Sequence, residues 1–223
     1  MKALLLTAPS QLEYVDFPDP QPADDDVVLR IHACGICGSD IHGWDGSTGR
    51  RHPPLIMGHE AAGVVDAIGP GVTGLATGER VACVAGPDTA YAEARIVPVA
   101  RVVPLPDGID ERTAASMMIR GMTARSLLYE TYKVQPGDTI LIHAAAGGVG
   151  LIMCQWAKHL GATVIGTVGS DDKAAIARAH GCDHAIVYTR EEEFAYLSPR
   201  QSAEVRIEQG CDRDGKLTFR DID

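Results

Sequence analysis

The chain has 223 residues, 45% hydrophobic and 22% charged, which excludes disorder as its main state and leaves room for one large or two modest domains. Thirty Asp and Glu against 20 Lys and Arg give a formal charge of -10, which repels a phosphate backbone and argues against nucleic acid as a partner. The opening MKALLLTAPSQLEYVDF holds one short apolar run, too short for a signal segment or a membrane span, so no membrane association and a cytoplasmic location are expected.

Short β-branched runs (Val27 to Ile31, Gly63 to Ile68, Arg80 to Val84, Arg95 to Val99) alternate with turn signals such as Gly69-Pro70-Gly71, a spacing that predicts a β-rich, barrel-like domain. From Asp110 the texture changes. Thr113 to Tyr132, rich in Ala, Met and Leu and free of proline, predicts a helix that Gln135-Pro136-Gly137-Asp138 stops. An alternation follows: strand Thr139 to Ile142, helix Gly148 to Leu160, strand Thr163 to Thr167, helix Asp172 to His180, strand Ala185 to Val187. Val149, Ile152, Met153, Trp156 and Leu160 form one helical stripe, and the strands are apolar on both faces, as a covered parallel sheet requires. From Arg190 the pattern fails, and the charged tail offers at most one more helix, roughly Pro199 to Gln209. The predicted organisation is a barrel-like domain over 1–125, a partial parallel-sheet domain over 126–193 and an atypical charged tail over 194–223. A complete six-strand nucleotide-binding sheet would need about three further strands.

In Leu141-Ile142-His143-Ala144-Ala145-Ala146-Gly147-Gly148-Val149-Gly150, Gly147 and Gly150 take the second and third positions of the dinucleotide fingerprint, and Ala145 takes the first. Small residues are needed because the backbone must approach a pyrophosphate seated on the helix N-terminus. The segment follows a strand and opens a helix, so Gly147, Gly148, Val149 and Gly150 are the expected cofactor-binding loop. About 20 residues on, Thr167-Val168-Gly169-Ser170 offers no carboxylate for an NAD ribose. Ser170 and Lys173 suit a 2′-phosphate instead, which favours NADP(H) over NAD, with Asp171 and Asp172 weighing the other way.

Six cysteines are too few for a disulfide scaffold, and Cys83, Cys154 and Cys182 lie in apolar or helical stretches as core residues. Upstream, Ala33-Cys34-Gly35-Ile36-Cys37-Gly38-Ser39-Asp40-Ile41-His42 is followed by Gly58-His59-Glu60. A thiolate, an imidazole and a carboxylate, here Cys37, His59 and Glu60, are ligands that a catalytic zinc uses while keeping a position open. A redox pair of Cys34 and Cys37 is the rival reading. It requires the cysteines to open a helix, whereas glycines and a turn-rich stretch follow them.

Over residues 1 to about 193 the chain resembles the medium-chain dehydrogenase/reductase superfamily. ACGICGSDIH with GHEAAGVV looks like the zinc-containing alcohol and polyol dehydrogenases, in which the second Cys and the His of GHE bind zinc, joined in the polyol branch by the Glu. From Ala90 onward, including LIHAAAGGVGLIMCQWAKHLGATVIGTVGSDDK, it looks like the NADPH-dependent quinone reductases, which normally lack zinc because the His of GHE is replaced. This chain keeps that His. The resemblance implies a GroES-like β-barrel catalytic domain followed by a partial Rossmann-type parallel sheet, an α/β plus β fold. It implies that Ser39 and His42 relay a proton to solvent and that Asp40 orients a zinc-bound His. Three departures matter. Met118-Ile119-Arg120 stands where a fourth, cysteine ligand often lies, Val81 to Ala94 holds only Cys83 where a structural zinc lobe has four, and the closing parts of the family fold have no counterpart before residue 223.

The expectation is a zinc-dependent, NADP(H)-linked oxidoreductase interconverting an alcohol and an aldehyde or ketone. Its rivals are a zinc-free NADPH quinone reductase and a truncated, inactive nucleotide-binding chain. A small alcohol, carbonyl or quinone is the expected partner molecule, and an unpaired edge at Ala185 to Val187 predicts a homo-oligomer. Gly210 to Asp221 also has some spacing of a calcium loop, but its first position is Gly210 and no exit helix follows, so a solvated acidic tail is expected there.

Overall fold

The computed structural model describes residues 1–83, 89–189 and 192, together with the backbone of 207–211 and 217–222. Strands β1 (Lys2–Ala8) and β2 (Gln11–Asp16) form an antiparallel hairpin, and β3 (Asp26–Gly35) leads through α1 (Gly38–Trp44) to β4 (Leu55–Ile56). Then come β5 (Glu60–Ile68), β6 (Arg80–Cys83), β7 (Ala94–Pro98) and β8 (Val102–Pro104). They make a three-stranded sheet, β2-β1-β4, and a five-stranded antiparallel sheet, β7-β3-β5-β6-β8. Alternate residues of the larger sheet (Val27, Leu29, Val65, Val81, Val97) are buried together, the period-2 pattern of strands with one face on a core. A Cβ at Gly63 would stand 1.9 Å from the Arg30 carbonyl oxygen, so only glycine lets β5 press this closely on β3.

Each of the four predicted β-runs forms a strand, except that Val99 already belongs to a 3-10 turn and Val84 lies outside the described residues, and β3 and β5 reach beyond their runs at one shared end. The register pairs Ala33 with Ala62, Cys34 with Ala61 and Gly35 with Glu60. This extension sets the loop after β3 beside the residue before β5, and the site depends on it. The turn-rich stretch expected after Cys37 is a short helix instead. Cys37 is its N-cap, and the Asp40 carboxylate accepts the Cys37 backbone N–H at 3.0 Å, closing the first turn that Gly38 alone would leave loose.

Helix α2 (Glu111–Arg125) starts at Asp110, whose carboxylate accepts the Thr113 N–H at 2.7 Å, and runs without a break into a π-helical turn over Ser126–Thr131. Ala114 and Ala115 pack on Ala62 and Ala82 of the barrel, whereas Leu128 belongs to the core of the parallel sheet. One helix therefore joins the two cores. The predicted alternation follows as β9 (Thr139–Ile142), α3 (Gly148–His159), β10 (Thr163–Val168), α4 (Asp171–Ala179) and β11 (His184–Val187), all three strands parallel in the order β11-β10-β9. Cys154, Ala157, Val164, Ala177 and Cys182 fill the core, as predicted for both cysteines.

The expectation that the strands are covered on both faces does not hold. Leu141 is 54% exposed and Ile186 41%. Two successive crossovers that step the same way along a sheet share one hand, so α3 and α4 lie on the same face and the alternate side chains point away from them. The tail also differs from its prediction. Ile207 to Gln209, expected as helix, belong to β12 (Ile207–Cys211), which pairs antiparallel with β13 (Leu217–Ile222); residues 199–206 lie outside the described residues. Gly210 and Asp221, the outer positions of the calcium-loop spacing, sit on these strands, and its inner positions 212, 214 and 215 lie outside the described residues. Among the described residues, no helix is long and apolar enough to cross a membrane.

Candidate active site

The β3–β5 register brings the three expected ligands together: one ligand atom each from Cys37, His59 and Glu60 lies within 4.8 Å of the other two. Glu60 is 2% exposed, and its Oε2 has no hydrogen-bond partner among the described residues. A buried carboxylate oxygen without a donor is costly unless something positive meets it. Gly35 makes the room, since a Cβ there would stand 2.4 Å from that oxygen. Burial opposes ionisation of the Cys37 thiol, yet hydrogen bonds from Ser39, through side chain and backbone, and from His59 bring it below the ordinary thiol range. A thiol inclined to ionise, an imidazole and an orphaned buried carboxylate fit a zinc ion with one position left open.

Asp40 organises the histidine. His59 Nδ1 lies 3.2 Å from Asp40 Oδ1, and that same oxygen accepts from Arg51 Nη1 at 2.9 Å. The other carboxylate oxygen accepts the Tyr91 hydroxyl and the Cys37 backbone N–H, both at 3.0 Å. Asp40 is buried, which by itself favours the neutral acid, but His59, the Cys37 N–H and Arg51 hold its carboxyl far below the usual range. The Asp40 contact in turn raises His59 to about 9, against the effect of burial, with a smaller push from Cys37. Burial and the Asp40 charge raise Tyr91, so its hydroxyl stays a donor. With Nδ1 taken by Asp40, Nε2 is the nitrogen left to face a cation. Arg51 and Tyr91 have no motif to announce them. They stand 11 and 51 residues from Asp40 and meet it only through the fold.

Ser39 and His42 lie on the exposed part of α1, and His42 turns outward, with Nδ1 3.3 Å from Ser47 Oγ. No hydrogen bond joins Ser39 to His42 among the described residues. Cys34 remains on β3, and burial pushes its thiol up to about 12. A redox pair needs an easily ionised, accessible attacking thiol, so this environment weighs against the Cys-x-x-C reading even though Cys37 opens a helix.

At the carboxyl ends of the parallel strands, Gly147 is the N-cap of α3, and no side chain caps that terminus. The first N–H groups of α3 have no intrahelical acceptor and stay available to an anion. A Cβ at Gly150 would meet the Ala144 carbonyl oxygen at 2.3 Å and Ala145 Cα at 2.8 Å, so the helix rests directly on its own loop. Ser170, two residues past the end of β10, is the N-cap of α4 and accepts the Lys173 N–H at 3.3 Å, which leaves its hydroxyl proton and the Lys173 ammonium without a partner among the described residues. Asp171 and Asp172 occupy the first turn of α4, where acidic side chains complement the helix dipole. That explains them without an NAD ribose.

Residues 23–107 match the alcohol dehydrogenase GroES-like domain family and residues 148–204 the zinc-binding dehydrogenase family. A quinone oxidoreductase of Pseudomonas aeruginosa is 44% identical over 183 residues, 82% of this chain and 56% of that protein. A 2-haloacrylate reductase of a Burkholderia species is 49% identical over 169 residues, 75% of this chain and 50% of that one. The chain thus spans about half the length of the curated relatives it matches. The solved structure of Escherichia coli quinone oxidoreductase complexed with NADPH superimposes with a TM-score of 0.78 at 36% identity, covering 83% of this chain and 58% of that one. The barrel, the fingerprint loop and these likenesses agree: the chain belongs to the medium-chain dehydrogenase/reductase superfamily and comprises a GroES-like domain with a partial Rossmann sheet.

Proposed function

We propose that the chain is the zinc- and NADP(H)-binding part of an oxidoreductase that interconverts a small alcohol and its aldehyde or ketone. The observation that carries the zinc reading is the orphaned, buried Glu60 Oε2 beside Cys37 and His59. Zinc held there would act as a Lewis acid on a substrate oxygen, and the nicotinamide would carry the hydride. Cys37, His59 and Glu60 bind, Asp40 fixes the His59 ring, and Arg51 and Tyr91 fix Asp40. Ser39 and His42, on the solvent side of α1, are the groups proposed to pass the alcohol proton outward. A zinc-free quinone reduction is the second reading, favoured by the name of the Pseudomonas aeruginosa relative. Assays with NADPH against an aldehyde and a quinone, before and after chelation, separate the two. Turnover of neither would leave a nucleotide-binding chain without activity.

The cofactor preference rests on Ser170 and Lys173. NADPH is expected to bind more tightly than NADH, and Lys173→Glu to narrow or reverse the ratio by setting like charge against the 2′-phosphate. Equal dissociation constants for the two nucleotides on the wild-type chain would refute it. Self-association is proposed from β11, which pairs only with β10 among the described residues, from the exposed Ile186 and Val187 on it, and from the exposed Leu141 on β9 at the other edge of the same sheet. Light scattering at micromolar concentration should report a dimer or larger species, and a sharp monomer peak would end that proposal.

A further inference from the structure

Arg120 lies on α2, and its side chain runs over the loop that opens α3. A Cβ at Gly148 would stand 3.0 Å from Arg120 Cδ, 3.1 Å from Nε and 3.2 Å from Nη1, so the absence of a side chain at Gly148 makes the bed in which the guanidinium lies. Arg120 is partly buried, yet among the described residues it has no hydrogen bond and no ion pair. Four arginines have acidic partners: Arg30 with Asp66, Arg51 with Asp40, Arg80 with Glu111, Arg125 with Glu130. Arg50, Arg112 and Arg178 have none among the described residues, but all three are exposed and water solvates them, whereas Arg120 is partly buried and gives up part of that solvation without an acid in return. It also sits where another cation is least welcome. The uncapped N-terminus of α3 presents free N–H groups and the positive end of the helix dipole on the same spot. Two positive groups converge there, and only an anion relieves both.

We infer that Arg120 is a second clamp on the pyrophosphate of the dinucleotide, gripping from α2 while the α3 N–H groups grip from the opposite side. The inference rests on the nucleotide-binding reading above and adds to it a residue outside the glycine loop. A guanidinium is suited to the task because its planar fork donates to two phosphate oxygens at once. Since α2 also packs on the barrel through Ala114 and Ala115, the clamp would tie the bound nucleotide to both cores.

Isothermal titration with ADP-ribose, NADPH, NADH and 2′-AMP on the full chain and on Arg120→Gln tests it. The substitution should weaken ADP-ribose by about tenfold, the scale of one charge-assisted hydrogen-bonded contact open to water. NADPH and NADH should weaken by the same factor, leaving their ratio unchanged, and 2′-AMP, which has no pyrophosphate, should bind as before. Unchanged ADP-ribose affinity would overturn the inference, as would a changed NADPH to NADH ratio, which would put Arg120 at the 2′-phosphate. If the wild-type chain binds none of the four, the nucleotide reading itself fails and takes the clamp with it. Should Arg120→Gln melt below the wild type, Arg120→Lys carries the test: a single point charge in place of the fork should keep the melting temperature, lower ADP-ribose affinity and spare 2′-AMP, and equal ADP-ribose affinity would again overturn the clamp.

Discussion

Replacing His59 with alanine is expected to leave the purified protein without zinc, whereas the wild type prepared with zinc carries about one ion per chain. Cys37 and Glu60 alone supply two ligands, and two do not hold zinc against dilution and a chelator. The effect is larger than the loss of one bond because the imidazole also sits between the metal position and the Asp40 carboxylate, 3.2 Å from His59 Nδ1. Removing it leaves Asp40 to Arg51 and Tyr91 and deprives the Cys37 thiol of one group that lowers it. Metal content by mass spectrometry after gel filtration is the measurement. Full zinc content in His59→Ala would remove these three residues as the ligand set. Wild-type protein that stays metal-free after preparation in zinc would favour quinone reduction without metal.

The parallel half of the fold was legible from Thr139 to Val187 because strand and helix alternate there with distinct periods and glycine marks each change. The site was legible as far as short spacings reach: Cys37 to Asp40 in one motif, His59 and Glu60 in another, Gly147 to Gly150 in a third. What escaped is what tertiary packing adds. Arg51 and Tyr91 reach Asp40 from β-domain loops, and Arg120 reaches Gly148 from another helix, contacts that no local pattern encodes. The β1–β2 hairpin escaped because Leu4-Leu5-Leu6 is an unbroken apolar run without the period-2 alternation of a half-buried strand, and its turn contains Ser10 at φ 62 rather than a glycine pair. Helix α1 escaped because two of its seven residues are glycine, and its cap comes from a cysteine and the Asp40 carboxylate. The exposed face of the parallel sheet escaped for a different reason. Apolar residues on both sides of a strand say that both faces suit burial, not that this stretch of chain supplies two covers.

Gly150→Ala is expected to lower the melting temperature by several degrees and to abolish measurable ADP-ribose binding. Two opposing effects decide the sign. Alanine in a helix is favoured over glycine by about 1 kcal/mol. Against that, the new methyl would stand 2.3 Å from the Ala144 carbonyl oxygen and 2.8 Å from Ala145 Cα, both backbone atoms that no rotamer change can move. Overpacking of this kind costs about 1–3 kcal/mol or more, so the clash wins. The start of α3 must lift from its loop, and the N–H groups that would hold the pyrophosphate move with it. Gly148→Ala is the internal control. The three atoms nearest its Cβ would all belong to the Arg120 side chain, at 3.0 to 3.2 Å, a group able to swing away, so the fold should keep its melting temperature. Thermal melts of the two variants side by side decide the matter. If Gly150→Ala melts with the wild type, the close approach of α3 to the Ala144–Ala145 backbone does not constrain position 150, and the steric reason for glycine in the nucleotide loop is lost.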